Sequence, residues 1–190
     1  MTATQPQSRG QLTISTLRLR LRSYAPQHWL AMIEGSEQFE RSFGVRAAEG
    51  LRNFLVEVSP RFLAQLREAN GADPWRFGFA VIHREHNLVI GGAGFKGPPD
   101  DEGMVEIGYG IVSAFEGRGY ATEAAQALIN FAVSDPRVRA LRAHTLPTAN
   151  ASTRVLTKNG FARVGEVVDP EDGRVWRWER TTNKLGDQIS

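Results

Sequence analysis

Hydrophobic and polar residues alternate strongly over residues 17–22, where three leucines are interleaved with three arginines. This spacing of two predicts a half-buried strand with a basic outer face. "WRFGFAVIH" and "LVIGGAGFKG" predict two further strands around a turn at residues 84–87, and "MVEIGYGIV" predicts another. "VRALRAHTL" predicts one more strand, and "FARVGEVV" and "GRVWRWERT" predict a hairpin around "DPEDG".

Helical spacing appears between these strands. Pro26 opens a helix that runs to about Gly35, and residues 48–70 are helical in pattern with a break at Pro60. The segment "FEGRGYATEAAQALINFA" turns into a helix whose apolar face is unusually small in its first turns. The residues on that face are Ala121, Ala124, Ala125, Leu128, Ile129 and Ala132.

A last short helix is predicted in "NASTRVLTKNG", with Asn150 as its N-terminal cap and Gly160 at its end. The resulting order is β, α, α, β, β, β, α, β, α, β, β, with neither an internal repeat nor a linker. This order predicts one mixed-sheet α/β or α+β domain over residues 11–182. Residues 1–10 are expected to form a disordered arm, and residues 183–190 a C-terminal tail.

Composition narrows the classes of function. The chain has 190 residues, 41% of them hydrophobic, and a formal charge of +2, so we expect a cytoplasmic globular protein with no general nucleic-acid partner. No stretch is long and apolar enough to cross a bilayer, and the polar N-terminus is not a signal peptide. The absence of cysteine excludes disulfides, thiolate metal sites and a cysteine nucleophile. The four histidines lack metal-ligand spacing, so no metal is expected, and His83 and His86 are expected to be solvated beside a turn.

Gly117 and Gly119 stand directly before the small-faced helix. The first four N–H groups of a helix have no internal partner and carry partial positive charge, so a glycine loop leading into them can bind an anion. Neither of the two common nucleotide fingerprints is present. The alternative interpretation is that these glycines only punctuate a loop.

Three segments, "VEIGYGI", "FEGRGYATEA" and "NASTRVLTKNGF", resemble in this order the GNAT superfamily of acetyl-CoA-dependent N-acetyltransferases. With "LRLRLRSY" near the start, they resemble the branch that includes the ribosomal-protein N-terminal acetyltransferases. The resemblance runs from about Leu12 to Thr181. It implies a mixed, mostly antiparallel central sheet of six to seven strands flanked by helices, with acetyl-CoA as cosubstrate. Dimers are frequent in this superfamily, although nothing in the residues demands one.

The resemblance implies that the loop from Glu116 to Ala121 holds the pyrophosphate of coenzyme A through main-chain N–H groups. The family pattern begins with glutamine or arginine where this chain has Glu116, so this carboxylate is expected to point to solvent. Arg118 within the loop can offset its charge or be an ordinary exposed arginine, and the Tyr120 ring is expected to pack. The residues implied to contact the cofactor are Ile111, Val112, Glu116, Gly117, Arg118, Gly119, Tyr120, Ala121, Thr122 and Asn150.

Glu106 is the candidate general base. Strand alternation places it on the same face as Gly108 and Gly110, where the missing side chains leave space for a ligand. An acceptor amine is mostly protonated at neutral pH, so its reaction with a thioester benefits from a base. The alternative is a strand glutamate that points into solvent.

Ser152 is the candidate on the leaving-group side, because the resemblance implies that its hydroxyl reaches the sulfur while Asn150 binds the coenzyme arm. Both residues can instead cap the helix. The resemblance also implies an oxyanion donor in the main-chain N–H of Ile111 or Val112.

The acceptor is expected to be a primary amine, either a protein N-terminus or a small amine, that receives the acetyl group directly in a ternary complex. The resemblance places the acceptor wall in residues 27–70 and 167–180. The alternative function is a catalytically silent acyl-CoA-binding or peptide-binding module on the same scaffold, since fold does not establish activity.

Overall fold

The computed structural model describes residues 11–55, 59–170 and 173–182. Its strands are β1 (Thr13–Ser15), β2 (Leu19–Ser23), β3 (Arg46–Ala47), β4 (Phe79–His83), β5 (Leu88–Phe95), β6 (Met104–Ile111), β7 (Ala140–Thr145), β8 (Ala162–Asp169) and β9 (Gly173–Thr181). Its helices are α1 (Pro26–Glu34), α2 (Ser36–Phe43), α3 (Leu51–Leu55), α4 (Pro60–Glu68), α5 (Pro74–Phe77), α6 (Tyr120–Ser134) and α7 (Ala151–Lys158). The expected N-terminal arm and C-terminal tail lie outside the described residues.

All of the strands belong to one sheet with the order β1-β2-β4-β5-β6-β7-β9-β8, and the short β3 pairs with β5 beside this path. Neighbouring strands are antiparallel except for β6–β7 and β3–β5, which are parallel. The expected mixed, mostly antiparallel fold is therefore confirmed, with nine strands in place of six to seven. Among the described residues, no helix is both long and apolar enough to span a bilayer.

Two local predictions need correction at the start of the chain. The leucine–arginine alternation does not form one strand, because Leu17 lies in the turn between β1 and β2 and its side chain is 85% exposed. Leu19 and Leu21 are fully buried on β2, as the alternation requires. The sequence pattern also did not predict α2, which places two phenylalanines one turn apart in the core and ends at Gly44 in the left-handed conformation.

The small face of α6 is confirmed and determines how closely this helix packs. Its buried residues include Ala124, Ala125, Leu128, Ile129 and Ala132, and the helix lies against β2, β5 and β6. Alanines leave little side-chain volume between a helix and a sheet, so the N-terminus of α6 comes close to the end of β6. This packing brings the glycine loop and the predicted base strand to one place.

Gly91 on β5 is required by another close approach. A Cβ atom at this position would lie 2.1 Å from the carbonyl oxygen of Gly110 on β6. We expect Gly91→Ala to lower the free energy of unfolding by about 1–3 kcal/mol, because two strand backbones must move apart. Denaturant unfolding checks this, with Gly165→Ala as control because its added Cβ meets no heavy atom within 4 Å. Equal losses in the two variants would contradict the expectation.

Candidate functional site

The central strands β6 and β7 diverge at Glu106. Their parallel pairing runs from Met104↔Ala140 to Glu106↔Arg142, while β6 continues to Ile111 beside β5 alone and β7 continues beside β9. Beyond Glu106, the edge of β6 that faced β7 is therefore open. A Cβ atom on Gly108, the next residue on the same face as Glu106, would meet nothing within 4 Å. Glu106, the predicted base, thus lies where the opening between β6 and β7 begins, and we call this opening the wedge.

The carboxylate of Glu106 is half-buried and held by two side chains that the sequence analysis did not assign to the site. Its Oε1 lies 2.8 Å from Lys96 Nζ and 3.0 Å from His144 Nδ1. Lys96 also lies 3.9 Å from Asp169 Oδ2. Glu106 therefore does not point freely into solvent, and the alternative interpretation of this residue is wrong.

The register of β5 with β6 shows which main-chain donors face the wedge. The N–H of Val112 donates to the carbonyl oxygen of Ile90 at 2.9 Å, just beyond the Gly91↔Ile111 pair. In an antiparallel ladder this makes Gly91↔Ile111 a pair without mutual hydrogen bonds, so the Ile111 N–H faces away from β5. Ile111 thus offers a donor to the wedge, whereas the predicted Val112 donor is already used within the sheet.

The glycine loop adopts a backbone conformation that favours glycine. Gly117 and Gly119 have φ values of +72° and +82°, in the left-handed region that favours glycine, and α6 begins directly after Gly119. The first N–H groups of α6 have no intrahelical acceptor. They open onto a cleft of about 360 Å³ between β6, this loop and α7. Predicted site residues that line the cleft are Ile111, Glu116, Gly117, Gly119, Tyr120, Ala121, Thr122 and Ser152.

The loop is braced from behind by Arg18. Its Nε and main-chain N–H donate to the two carboxylate oxygens of Glu123, each at 2.7 Å, and its Nη1 donates to the carbonyl oxygen of Arg118 at 2.8 Å. Thr16 Oγ1 donates to the same carboxylate at 2.6 Å. Burial alone would raise the pKa of Glu123, but the hydrogen bonds from Thr16 and Arg18 hold that pKa below its ordinary value. Arg118 itself is exposed, and its guanidinium lies over Phe115.

This brace should make stability depend on pH through Glu123. Because the folded-state pKa is lowered, the contribution of Glu123 is fully present above its unfolded pKa and is lost as pH falls through the folded value. We expect Glu123→Gln to reduce the free energy of unfolding at pH 7 and to have much less effect near pH 3. Denaturant unfolding of both proteins at the two pH values measures this difference. A reduction of equal size at both values would contradict it.

Tyr120 anchors the first turn of α6, as its predicted packing role requires. Its side chain is buried and its hydroxyl lies 2.8 Å from His83 Nε2, while the Arg18 guanidinium lies over its ring. His83 is 4% exposed, so the expectation that it is solvated is wrong. Burial and the nearby His86 lower the pKa of His83, which keeps the imidazole neutral at pH 7.

The N-terminus of α7 forms the opposite wall of the cleft. Ser152 is exposed there, and its carbonyl oxygen accepts a hydrogen bond from the Tyr109 hydroxyl at 3.3 Å. Asn150 caps the helix, since its Oδ1 accepts a hydrogen bond from the Thr153 N–H at 3.0 Å. It is not one of the described residues that line the cleft. Arg154 and Lys158, one turn apart on α7, line the cleft and contribute positive charge.

A second pocket, of about 430 Å³, is lined in part by the β6 segment from Gly108 to Gly110. Tyr109 and Gly110 line both this pocket and the cleft, so the two spaces meet at β6. The described residues of the predicted 167–180 wall do not line it. Its wall combines aromatic side chains with glycines and comes from the first helices and from β4 and β5, with Tyr24, Trp29, Phe62, Phe77 and Phe95 among the aromatic contributors.

Comparison with known families identifies this arrangement. The model of the acetyltransferase (GNAT) domain matches residues 18–162, which are 145 of the 190 residues. The chain belongs to the GNAT acetyltransferase family. The resemblance drawn from the three sequence segments is thereby confirmed.

Curated relatives of this GNAT chain come from Bacillus. It is 35% identical over 110 residues to the uncharacterized N-acetyltransferase YjdG of Bacillus subtilis (strain 168), covering 56% of this chain and 63% of that protein. It is 30% identical over 96 residues to the uncharacterized N-acetyltransferase p20 of Bacillus licheniformis, covering 50% of this chain and 54% of that protein. The chain thus spans less than two thirds of the length of these two relatives.

Solved GNAT structures share the fold. A GNAT-family acetyltransferase from Bacillus anthracis superposes with a TM-score of 0.60 at 21% identity, covering 90% of this chain and 98% of that one. RimL, a ribosomal L7/L12 alpha-N-protein acetyltransferase in complex with coenzyme A, gives a TM-score of 0.61 at 17% identity, with coverages of 90% and 98%. These superpositions show that the chain shares the GNAT fold. Sequence identities this low do not indicate which acceptor it uses.

His144, Lys96, Arg18 and Tyr109 are the side chains at this GNAT site that the sequence analysis did not assign. His144 lies on the same face of β7 as Arg142, but its place beside Glu106 depends on the pairing of β7 with β6, which the sequence does not show. No signal existed for Arg18 either, whose contacts with Glu123 and Arg118 join residues about a hundred positions apart.

Proposed function

We propose that this chain is an N-acetyltransferase that moves the acetyl group of acetyl-CoA directly to a primary amine in a ternary complex. The observation that carries this proposal is the meeting of two spaces at β6. One is a cleft lined by unpaired helix N–H groups, and the other is an aromatic pocket, with Glu106 where β6 and β7 diverge. A binding module has no need for a second pocket that meets the cleft at one strand.

The cleft fits acetyl-CoA by charge and by shape. The diphosphate would be bound by the N–H groups of Gly117 to Thr122, with Arg154 and Lys158 adding positive charge from α7. Glu116 is exposed, which allows its carboxylate to turn away from the diphosphate. The coenzyme arm would follow the open edge of β6, which brings the thioester to the wedge beside Glu106.

The chemistry requires three functions. The acceptor ammonium loses a proton near Glu106, the N–H of Ile111 stabilises the developing oxyanion, and the sulfur leaves beside the N-terminus of α7. The Ser152 hydroxyl is assigned to the leaving thiolate, as a hydrogen-bond donor. The Tyr109 hydroxyl lies beside Ser152, against its carbonyl oxygen. Because burial raises the pKa of Tyr109, the phenol stays protonated and is a second donor for the leaving thiolate.

Ser152→Ala is expected to lower turnover by about tenfold, which corresponds to the loss of one hydrogen bond of about 1.4 kcal/mol in the transition state. The acetyl-CoA dissociation constant should change less than twofold, because the main-chain contacts are untouched. Steady-state kinetics and calorimetry measure the two quantities. If turnover is unchanged in Ser152→Ala and falls in Tyr109→Phe, the phenol and not the serine serves the leaving group.

Release of free coenzyme A thiol, measured with a panel of acceptors, tests the function itself. The panel contains α-amine peptides, lysine peptides, polyamines and aminoglycosides. The aromatic side chains in the wall of the acceptor pocket favour an amine with an apolar body, either a peptide N-terminus or a small amine. Binding of acetyl-CoA without amine-dependent thiol release across the panel would instead support the silent module.

A further inference from the structure

The position of His144 beside Glu106 suggests that the general base is a different residue from the one that the sequence predicts. His144 lies on β7 and turns Nδ1 toward Glu106 Oε1 at 3.0 Å, with 15% of its side chain exposed. An ionised carboxylate only accepts hydrogen bonds, so the Nδ1 facing it carries the proton. In the neutral ring the other nitrogen, Nε2, then has a free lone pair.

Nε2 of His144 is available to a substrate. Within the described residues it has no hydrogen-bond partner, and it is not among the buried polar atoms that lack one, so it reaches solvent. By contrast, Oε1 of Glu106 already accepts from two donors, Lys96 Nζ at 2.8 Å and His144 Nδ1, which leaves Oε2 as the other acceptor of this carboxylate. The imidazole, oriented by the carboxylate, thus presents a second base beside it.

The geometry points to a Glu106–His144 dyad in which His144 Nε2, directly or through one water, takes the proton from the acceptor ammonium, while Glu106 fixes the tautomer and stabilises the imidazolium. This inference rests on the proposed function. The arrangement is the same in principle as a carboxylate that orients a catalytic histidine. Lys96 is then a positioning residue that holds the carboxylate.

The step balances without a further reactant. The ammonium gives one proton to Nε2, and the neutral amine forms a C–N bond with the thioester carbonyl carbon. The C–S bond then breaks and its electron pair leaves on sulfur. The nitrogen loses its second proton as the amide forms, the sulfur gains a proton to give the thiol, and the imidazolium returns its proton to solvent.

Other charges surround the dyad on every neighbouring strand. They form mutual ion pairs, with Arg142 Nη2 3.0 Å and Arg177 Nε 3.4 Å from Glu179 Oε1, and with Lys96 near Asp169. Among the described residues, the carboxylate in hydrogen-bond contact with the imidazole is that of Glu106. The remaining charged neighbours are Lys96, Asp169, Arg142, Arg177 and Glu179.

The test compares turnover of the wild type, His144→Gln, Glu106→Gln and the double variant between pH 7 and 9.5, with the most active amine of the panel. We expect His144→Gln to lose about a hundredfold at pH 7. The loss should shrink toward pH 9.5, where solvent has already deprotonated more of the amine. The double variant should be no worse than either single variant, within about threefold, because the two residues act as one unit. Glu102→Gln, in the exposed turn before β6, is the control for a side-chain change away from the site.

A loss below threefold in His144→Gln, a loss independent of pH, or multiplying losses in the double variant would overturn the dyad. A wild type that acetylates no amine overturns the proposed function and the dyad together, whereas a His144→Gln variant with wild-type turnover at pH 7 overturns the dyad alone. Long-range proton–nitrogen NMR of the histidine rings in the wild type is independent of turnover. Protonated Nδ1 and bare Nε2 at neutral pH are expected for His144, and the opposite tautomer would contradict the inference.

Discussion

Replacing Glu106 by glutamine should lower turnover about a hundredfold at pH 7, at the lower end of the range of a lost acid–base function. Glutamine has nearly the same shape, so the wedge between β6 and β7 stays intact. What disappears is the negative charge that lies against both Lys96 Nζ and His144 Nδ1. The imidazole then loses the partner that selects its tautomer, and the ammonium of Lys96 is left beside a neutral amide.

Binding of acetyl-CoA should be almost unaffected by this change, because Glu106 is not one of the described residues that line the cleft. We expect a dissociation constant within twofold of the wild type by calorimetry. Glu102→Gln, in the exposed turn before β6, is the matched control and should keep full turnover. Equal turnover of Glu106→Gln and wild type across pH 6–9 would remove Glu106 from the mechanism.

Replacing Gly119 by valine should weaken acetyl-CoA binding at least tenfold, a loss of 1.4 kcal/mol or more in binding free energy. Gly119 has φ +82°, where a β-branched residue is strained by about 1–3 kcal/mol, and its new Cβ would lie 3.4 Å from Arg18 Nη2. The loop must therefore shift, and the N–H groups of the first turn of α6 no longer converge on the diphosphate.

Gly50→Val separates this effect from backbone strain alone. Gly50 has nearly the same φ, +81°, and an added Cβ meets no heavy atom within 4 Å. Both variants should lose comparable stability in denaturant unfolding, while only Gly119→Val loses affinity for acetyl-CoA in calorimetry. Unchanged affinity in Gly119→Val, or equal losses of affinity in the two variants, would count against the loop assignment.

Much of the site could be predicted from the sequence because its chemistry is local. The glycine loop and α6 are adjacent in the chain, and the side-chain spacing of α6 and β6 shows which residues share a face. The cap at Asn150 also depends on a partner only three residues away. Contacts of this kind follow from helix and strand geometry alone.

The remaining features depend on how distant segments come together. Glu106 meets His144 only because β6 and β7 pair in one parallel register, and a shift of one residue would turn His144 to the other face. The turn at Leu17 follows from the pairing of β1 with β2, and the alternation of leucine and arginine does not show where that pairing ends. The use of the Val112 N–H likewise depends on its register with β5. Such pairings carry no signal within a single segment.

The proposed function is tested most directly by a crystal structure of the protein with acetyl-CoA bound. We expect the diphosphate against the N–H groups of Gly117 to Thr122, and the thioester at the opening between β6 and β7, near Glu106. Coenzyme bound in another part of the molecule, or no coenzyme at a saturating concentration, would contradict it.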